Sequence, residues 1–140
     1  MRVIALSLAL AALSFADTHR DVMHVFGNMA SALTAGNPDQ FMESFDRGMP
    51  DYDTIKDDVI QLVGEGQITS IAEPIHDEGD DRHRTVDLDW TLDIQIPDSP
   101  MAPQHRRETV HCRLEVIKGH WRVYSLDPIS FFAPRNSDSK

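Results

Sequence analysis

Apolar and polar residues alternate without a break along residues 85–96. The apolar positions are Val86, Leu88, Trp90, Leu92, Ile94 and Ile96. The positions between them are Asp87, Asp89, Thr91, Asp93 and Gln95. Such alternation is typical of a β-strand with one buried and one polar face, because successive side chains point to opposite sides of a sheet. We predict that this segment is the central strand of a curved antiparallel sheet and that the rest of the chain packs on its apolar side.

Helical periodicity precedes this strand. The segment 17–35 places apolar residues on one stripe, as expected of an amphipathic helix: Val22, Val25, Phe26, Met29, Ala30 and Leu33. Asn37 as N-cap and Pro38 at the first helical position predict a second helix over residues 38–45. A third helix is predicted to begin after Asp51 and to run to residue 63.

Three further strands are predicted around the central one. Residues 67–76 alternate but contain Pro74, which favours an edge strand because proline has no N–H to donate. The proline-rich segment 97–104 predicts a loop. Strands at 106–117 and 121–126 are joined by Lys118 and Gly119, a pair typical of a two-residue hairpin turn. The predicted fold class is therefore α+β, with three N-terminal helices packed on a strongly curved four-stranded antiparallel sheet.

The N-terminus has the pattern of a secretory signal peptide. Arg2 supplies a positive charge, residues 3–15 are mostly apolar, and Ser14 and Ala16 are small residues at the positions that precede cleavage. We predict cleavage after Ala16, a folded domain over 17–134, a disordered tail over 135–140, and a secreted or periplasmic location. A buried N-terminal helix is the alternative interpretation.

Composition restricts the possible partners and cofactors. The chain has 23 acidic against 13 basic residues and a net charge of -10, which disfavours binding to nucleic acid and, after cleavage of the signal peptide, to anionic membranes. Cys112 is the only cysteine, so an internal disulfide is excluded, and its place in an apolar alternation favours a core position over a nucleophile. The seven histidines are scattered, and we predict neither a metal nor another cofactor.

Two segments carry a resemblance to a known family. They are residues 33–41, which end the long first helix with the sequence LTAGNPDQF, and residues 119–123, GHWRV, on the last strand. Together with the order of helices and strands, they resemble the NTF2-like superfamily, which includes SnoaL-like and ketosteroid-isomerase-like proteins, over about residues 18–133. The resemblance implies a cone-shaped fold and pairing through the outer sheet face. It does not imply one activity, because the superfamily contains isomerases, cyclases, dehydratases and non-catalytic modules.

The inner face of the predicted sheet would hold any small ligand. A turn at residues 118–119 would place Ser125 opposite Cys112 and Asp127 opposite Val110 on this face. The predicted pocket residues are Trp90, Val110, Cys112, Trp121, Val123 and Asp127. Asp127 could act there as a general base if burial raised its pKa, with Tyr52 or Ser125 as hydrogen-bond partner; alternatively, it ends the strand and bonds to solvent or to a backbone amide.

The outer face of the predicted sheet carries opposite charges on neighbouring strands. One register sets Asp89 beside His111, and a register shifted by two sets Asp89 beside Arg113. Either arrangement gives a solvated lattice of charge pairs or a homodimer interface that includes Asp89, His111, Arg113 and Tyr124.

These patterns lead to two hypotheses about function. The first is an exported NTF2-like domain that is non-catalytic and either binds a small apolar ligand or dimerises. The alternative is an isomerase or lyase with an acidic residue in the cone as general base. A cone filled by aromatic and methionine side chains would favour the first: Phe26, Met29, Phe41, Phe45, Phe131 and Phe132.

Overall fold

The structure, a computed structural model, describes the backbone of residues 2–135 and the side chains of residues 16–135. Three α-helices precede four β-strands: α1 (Arg2–Ala35), α2 (Pro38–Met42), α3 (Tyr52–Glu65), β1 (Gln67–Gly79), β2 (His83–Gln95), β3 (Gln104–Ile117) and β4 (His120–Asp127). A 3-10 helix, Ile129–Phe132, follows β4. The strands form one antiparallel sheet in the order β1-β2-β3-β4. The predicted α+β class with three helices and a four-stranded antiparallel sheet is thereby confirmed.

The structure describes only part of the predicted signal peptide over 1–16 and only part of the predicted tail over 135–140. The backbone of α1 begins at Arg2, upstream of the predicted helix start at residue 17. Of the predicted signal peptide, the structure describes the backbone of residues 2–15 and Ala16; Met1 and the predicted tail from residue 136 onward lie outside the described residues. Cleavage after Ala16 and export stay predictions.

Local capping chemistry separates α1 from α2 as the sequence indicates. Gly36 adopts a φ of 70°, and its N–H donates to the Leu33 carbonyl at 3.1 Å, the left-handed ending that glycine favours. The Asn37 side chain accepts from the Gln40 amide at 3.1 Å and thus caps α2. α2 ends at Met42, earlier than predicted, because Phe45 forms a parallel bridge with Val123 of β4.

The edge position predicted for β1 is confirmed, since among the described residues β1 pairs only with β2. Pro74 coincides with a bulge: the register shifts between Pro74 and His76, so that Ile75 has no partner on β2. A bulge reverses the alternation of faces downstream of it. Asp77 therefore shares the buried face with Val86, opposite to the position that uninterrupted alternation would give it.

Both predicted registers between β2 and β3 are wrong. Asp89 pairs with Thr109, not with His111 or Arg113, whereas His111 lies opposite Asp87. The loop between these strands is long and rich in proline, so neither its length nor a turn type fixes the register.

The register predicted for β3 and β4 holds only near the turn. Lys118 and Gly119 have φ values of 52° and 81°, as required in the tight turn that joins paired Ile117 and His120. The register then shifts between Arg113 and Leu114, which leaves Tyr124 as the extra residue of β4.

This shift corrects the predicted positions of two candidate catalytic residues. Ser125 lies opposite Arg113, and Asp127 lies opposite His111, both on the outer face; Leu126 takes the inner place opposite Cys112. A bulge inserts one residue and so exchanges the two faces beyond it. Asp127 is exposed, contrary to its predicted place in a pocket.

The inner face of the sheet packs against the helices and the 3-10 helix in one hydrophobic core. The side chains of Trp90, Phe26, Phe41 and Phe132 are among its largest fully buried members. The Phe132 ring lies edge-on to Trp90 with centroids 5.0 Å apart and contacts Phe41 at 5.3 Å. Aromatic pairs at these distances stabilise a core beyond the area they bury.

One charged cluster lies on this inner face, at the end of the sheet where β1 and β2 meet. Arg84 Nε donates to Asp77 Oδ1 at 2.7 Å, and the two side chains are only 8% and 5% exposed. The His19 imidazole of α1 reaches the other oxygen of Asp77 at 2.5 Å, and Arg84 also donates to the Asp80 carbonyl at 3.0 Å. We call His19, Asp77 and Arg84 the inner trio; it ties α1, β1 and β2 together.

Candidate functional site

The predicted interior pocket is occupied by the protein's own side chains. Four of its predicted lining residues, Trp90, Val110, Cys112 and Val123, are fully buried, and Trp121 is partly buried against them. All six aromatic and methionine residues named above as possible fillers of the cone are buried as well. The interior of the fold is therefore filled by aromatic, aliphatic and methionine side chains.

Polar groups in this interior already have partners. Trp90 Nε1 donates to Ser70 Oγ at 2.9 Å, and the Ser70 amide donates to Thr34 Oγ1 at 3.1 Å. Within residues 16–135, no buried side-chain nitrogen or oxygen lacks a hydrogen-bond partner. A ligand is therefore not needed to complete the hydrogen bonding of the core.

Cys112 is a core residue, as the apolar alternation indicates. Its side chain is fully buried, and burial, with a smaller effect of Asp87, raises the pKa of the thiol well above its usual range. A thiol kept protonated in an apolar site is a poor nucleophile.

Metal-ligating side chains do not converge in the part of the chain that the structure describes. No group of three or more His, Cys, Asp or Glu residues has a geometry that could hold a metal ion there. The same residues also contain no helix long and apolar enough to cross a membrane.

The outer sheet face carries a row of acids on β2 beside a row of bases on β3, as its charge pattern predicts. Arg107 donates to both oxygens of Asp89, at 3.0 and 2.7 Å. The hydrogen bond from Arg107 is the main reason that the pKa of Asp89 is lowered. His111 and His105 contact Asp87 and Asp93 at 2.6 and 2.7 Å.

Arg113 and Tyr124 are the other two residues of the predicted interface. Arg113 is exposed, and Tyr124 is partly exposed. No carboxylate oxygen of residues 16–135 lies within 4.0 Å of the Arg113 guanidinium. We call the outer sides of β2, β3 and β4 the outer face.

A second region was not predicted as a site. A surface cavity of about 560 Å³ lies between α2, the start of α3 and the turn that joins β3 and β4; we call it the hairpin cavity. Tyr52, a predicted site residue, lines it with Arg47, Lys56, Lys118 and Arg122. Asp127 and Ser125 do not line it. These four cations come from three separate segments, so sequence spacing gave no signal of their convergence.

Comparison with known proteins identifies the fold. No family model matches the sequence, and no curated protein matches it either. Among solved structures, a scytalone dehydratase-like protein from Novosphingobium aromaticivorans superposes with a TM-score of 0.73 at 9% identity, over 82% of this chain and 85% of that one.

Two further structures are similar. An NTF2-like superfamily protein from Salmonella enterica has a TM-score of 0.66 at 10% identity, with 80% of this chain and 89% of that chain covered. A protein from Xanthomonas campestris described as a calcium/calmodulin dependent protein kinase II association domain has a TM-score of 0.60 at 14% identity, with 76% and 83% covered. The chain has the NTF2-like fold.

Proposed function

We propose that this protein is an exported, non-catalytic NTF2-like module that pairs with a second copy of itself through the outer face. The observation that carries the proposal is the charge pattern of this face, with acids on β2 and bases on the adjacent β3. The packed interior supports a role that does not depend on a ligand in the cone, and the bulges in β1 and β4 support the strong sheet curvature expected of a cone.

The charge rows favour one arrangement of the two copies. A twofold axis that runs parallel to the strands, midway between β2 and β3, lays the acidic row of each protomer on the basic row of the other. In this arrangement each cross-strand pair recurs between the copies, so that Asp87 faces the partner's His111 and Asp93 faces the partner's His105. An axis perpendicular to the strands would place acids on acids and is disfavoured.

One structural neighbour supports association as the role. The Xanthomonas campestris protein is described as an association domain, and it shares the fold with this chain. Because its sequence identity to this chain is 14%, this neighbour supports the fold and not by itself a function. The argument for pairing therefore also needs the charge pattern of the outer face.

Export is the second part of the proposal. It rests on the charged, apolar and small-residue pattern of residues 1–16. Asp17 would be the first residue of the mature chain, and Thr18 next to it is buried, so the folded domain would begin directly after the cleavage site. N-terminal sequencing of the protein purified from its own host tests this part, with Asp17 as the expected first residue.

The enzyme hypothesis loses its geometric basis. The proposed base Asp127 is exposed on the outer face opposite His111, and it does not line the cavity that Tyr52 lines. A general base must reach the proton that it abstracts inside a substrate pocket. We therefore propose no catalytic role for Asp127, Ser125 or Tyr52.

Sedimentation equilibrium of the protein purified from its own host tests the pairing. We expect a dimer that Arg113→Ala weakens. No carboxylate oxygen of residues 16–135 lies within 4.0 Å of Arg113, and because Arg113 lies opposite Thr85, the pairing would bring it diagonally beside the partner's Asp87. Raising the salt concentration should weaken the dimer further. Arg82→Ala, which removes an exposed cation in the turn between β1 and β2, is the matched control. A monomer at all concentrations, or an equal effect of both variants, would contradict the proposal.

A further inference from the structure

We infer that the hairpin cavity binds an organic carboxylate with an apolar body. The cavity shares no lining residue with the rows of acids and bases on β2 and β3 that carry the proposed pairing, although its lining residue Arg122 lies on the outer side of β4. It is also separate from the predicted interior pocket, with which it has no residue in common.

The first argument concerns whether the four cations that line the cavity are paired with carboxylates. Within residues 16–135, no carboxylate oxygen lies within 4.0 Å of the charged nitrogens of Arg47, Lys56, Lys118 or Arg122. By contrast, Arg84 and Arg107 both hold an aspartate at 2.7 Å. On a chain with a net charge of -10, the four cations outnumber the three acids that line the same cavity, so the cavity is locally positive and attracts anions.

The second argument is the floor of the cavity. The apolar lining consists of the partly exposed Ile117 and of the small exposed parts of Met42 and Phe45, which are 4% and 2% exposed. Pockets that bind small molecules combine an apolar lining with a few polar groups that fix orientation. The cavity volume of about 560 Å³ lies within the usual range of such pockets.

The third argument is the distribution of charge around the rim. Asp39, Glu43 and Asp46 line the side formed by α2 and its connector, while Lys118 and Arg122 come from the hairpin and Lys56 from α3. Asp46 is engaged with its own chain, since its Oδ1 accepts from the Gly48 amide at 3.0 Å. A ligand would therefore direct its carboxylate toward the hairpin and α3, and its apolar body toward Met42 and Phe45.

This distribution of charge and apolar surface should also make the cavity selective for an alkyl carboxylate. A small inorganic anion gains nothing from the apolar floor. An alkylammonium ion could place its head group only beside the acids of α2, of which Asp46 is already engaged by the Gly48 amide, and the four cations would repel it. An alkyl carboxylate satisfies both parts of the cavity, and charge-assisted hydrogen bonds from lysine and arginine would hold its head group.

The experiment is a titration of the isotope-labelled full chain, followed by two-dimensional amide NMR, with three probes: hexanoate, hexylammonium and inorganic phosphate. We expect saturable shifts with hexanoate alone, confined to the amides of residues 42–56 and 117–122. Binding of phosphate as tightly as hexanoate would overturn the inference in favour of a general anion site. Binding of hexylammonium as tightly as hexanoate, or no saturable shift with hexanoate, would overturn it as well.

A matched pair of variants locates the site. Lys56→Gln removes one cation from an exposed helix position while keeping a good helix former, and it should weaken hexanoate binding by about tenfold. Arg82→Gln makes the same change of charge far from the cavity, in the turn between β1 and β2, and should leave the affinity unchanged. An equal loss in both variants would show that hexanoate responds to net charge and would overturn the inference.

Discussion

The two faces of the sheet hold aspartate with a basic partner in very different surroundings. On the inner face, Asp77 and Arg84 lie 2.7 Å apart with side chains that are 5% and 8% exposed. On the outer face, Asp89 and Arg107 lie at the same distance with side chains that are 27% and 66% exposed. The two pairs therefore have the same N–O distance, and they differ in how deeply their side chains are buried.

This difference determines what each pair does. A pair in water loses most of its attraction to solvent screening, so removal of either partner has little effect on stability. A buried pair has lost its hydration, and removal of one partner leaves an uncompensated charge in a poorly solvated place. We therefore expect the inner trio to fix how α1 sits on the sheet, and the outer rows to be available for interactions between molecules.

The largest expected effect is that of Asp77→Ala. The substitution strands the Arg84 guanidinium on the inner face, and breaking a buried pair in this way costs roughly 3–5 kcal/mol of the free energy of unfolding. Urea denaturation followed by circular dichroism measures it. A loss below about 1 kcal/mol, the value of an exposed pair, would remove the distinction between the two faces.

A double variant sharpens the same comparison. Asp77→Ala combined with Arg84→Met removes both charges and supplies an apolar side chain of similar length, so it should regain much of the stability lost in the single variant. Equal stabilities for the single and the double variant would show that the loss comes from packing around Asp77 and not from the stranded charge.

A neutral polar pair on the inner face should give the next effect. Ser70→Ala removes the acceptor of the Trp90 indole N–H, which is fully buried. An unsatisfied buried donor costs about 1–3 kcal/mol. Thr69→Ala, at the neighbouring exposed position, is the control in the same urea experiment. If both variants lose equal stability, the hydrogen bond is not the cause.

The pH dependence of stability tests the buried pair directly. Burial by itself raises the pKa of Asp77, but the hydrogen bonds from Arg84 and His19 outweigh it, and the net pKa is lowered. An aspartate in an unfolded chain has a pKa of about 3.9. The stability that Asp77 contributes is therefore fully present above this value and is lost as the pH falls toward the lower pKa of the folded state.

The measurement is the free energy of unfolding of the parent and of Asp77→Asn between pH 7 and pH 3. We expect parallel curves down to about pH 4 and a steeper loss in the parent below it. Parallel curves over the whole range would mean that Asp77 has the same pKa in the folded and in the unfolded chain.

Alternation and capping were enough to predict most elements of the fold. The central strand, the edge position of β1, the turn at Lys118 and Gly119, and the cap at Asn37 all follow from local chemistry, which the sequence carries within a few residues. They can therefore be predicted without knowing which distant residues of the chain they contact.

The two bulges explain most of what the sequence did not reveal about the sites. The one beside Pro74 turns Asp77 inward and creates the inner trio; the one at Tyr124 turns Asp127 outward. A bulge depends on the partner strand and on packing, and one inserted residue reverses every side chain beyond it. Site residues placed by simple alternation are therefore the least secure part of such a prediction.

The smallest effect should come from the outer face. Asp93→Ala removes the partner of His105, and both side chains are about half exposed, at 46% and 60%. Exposed pairs of this kind contribute about 0–1 kcal/mol, so the free energy of unfolding should change little when it is measured at a concentration low enough for monomers. The same substitution should weaken the proposed dimer at higher concentration, because Asp93 would also face the partner's His105. A loss of monomer stability as large as that of Asp77→Ala would mean that burial does not separate the two faces.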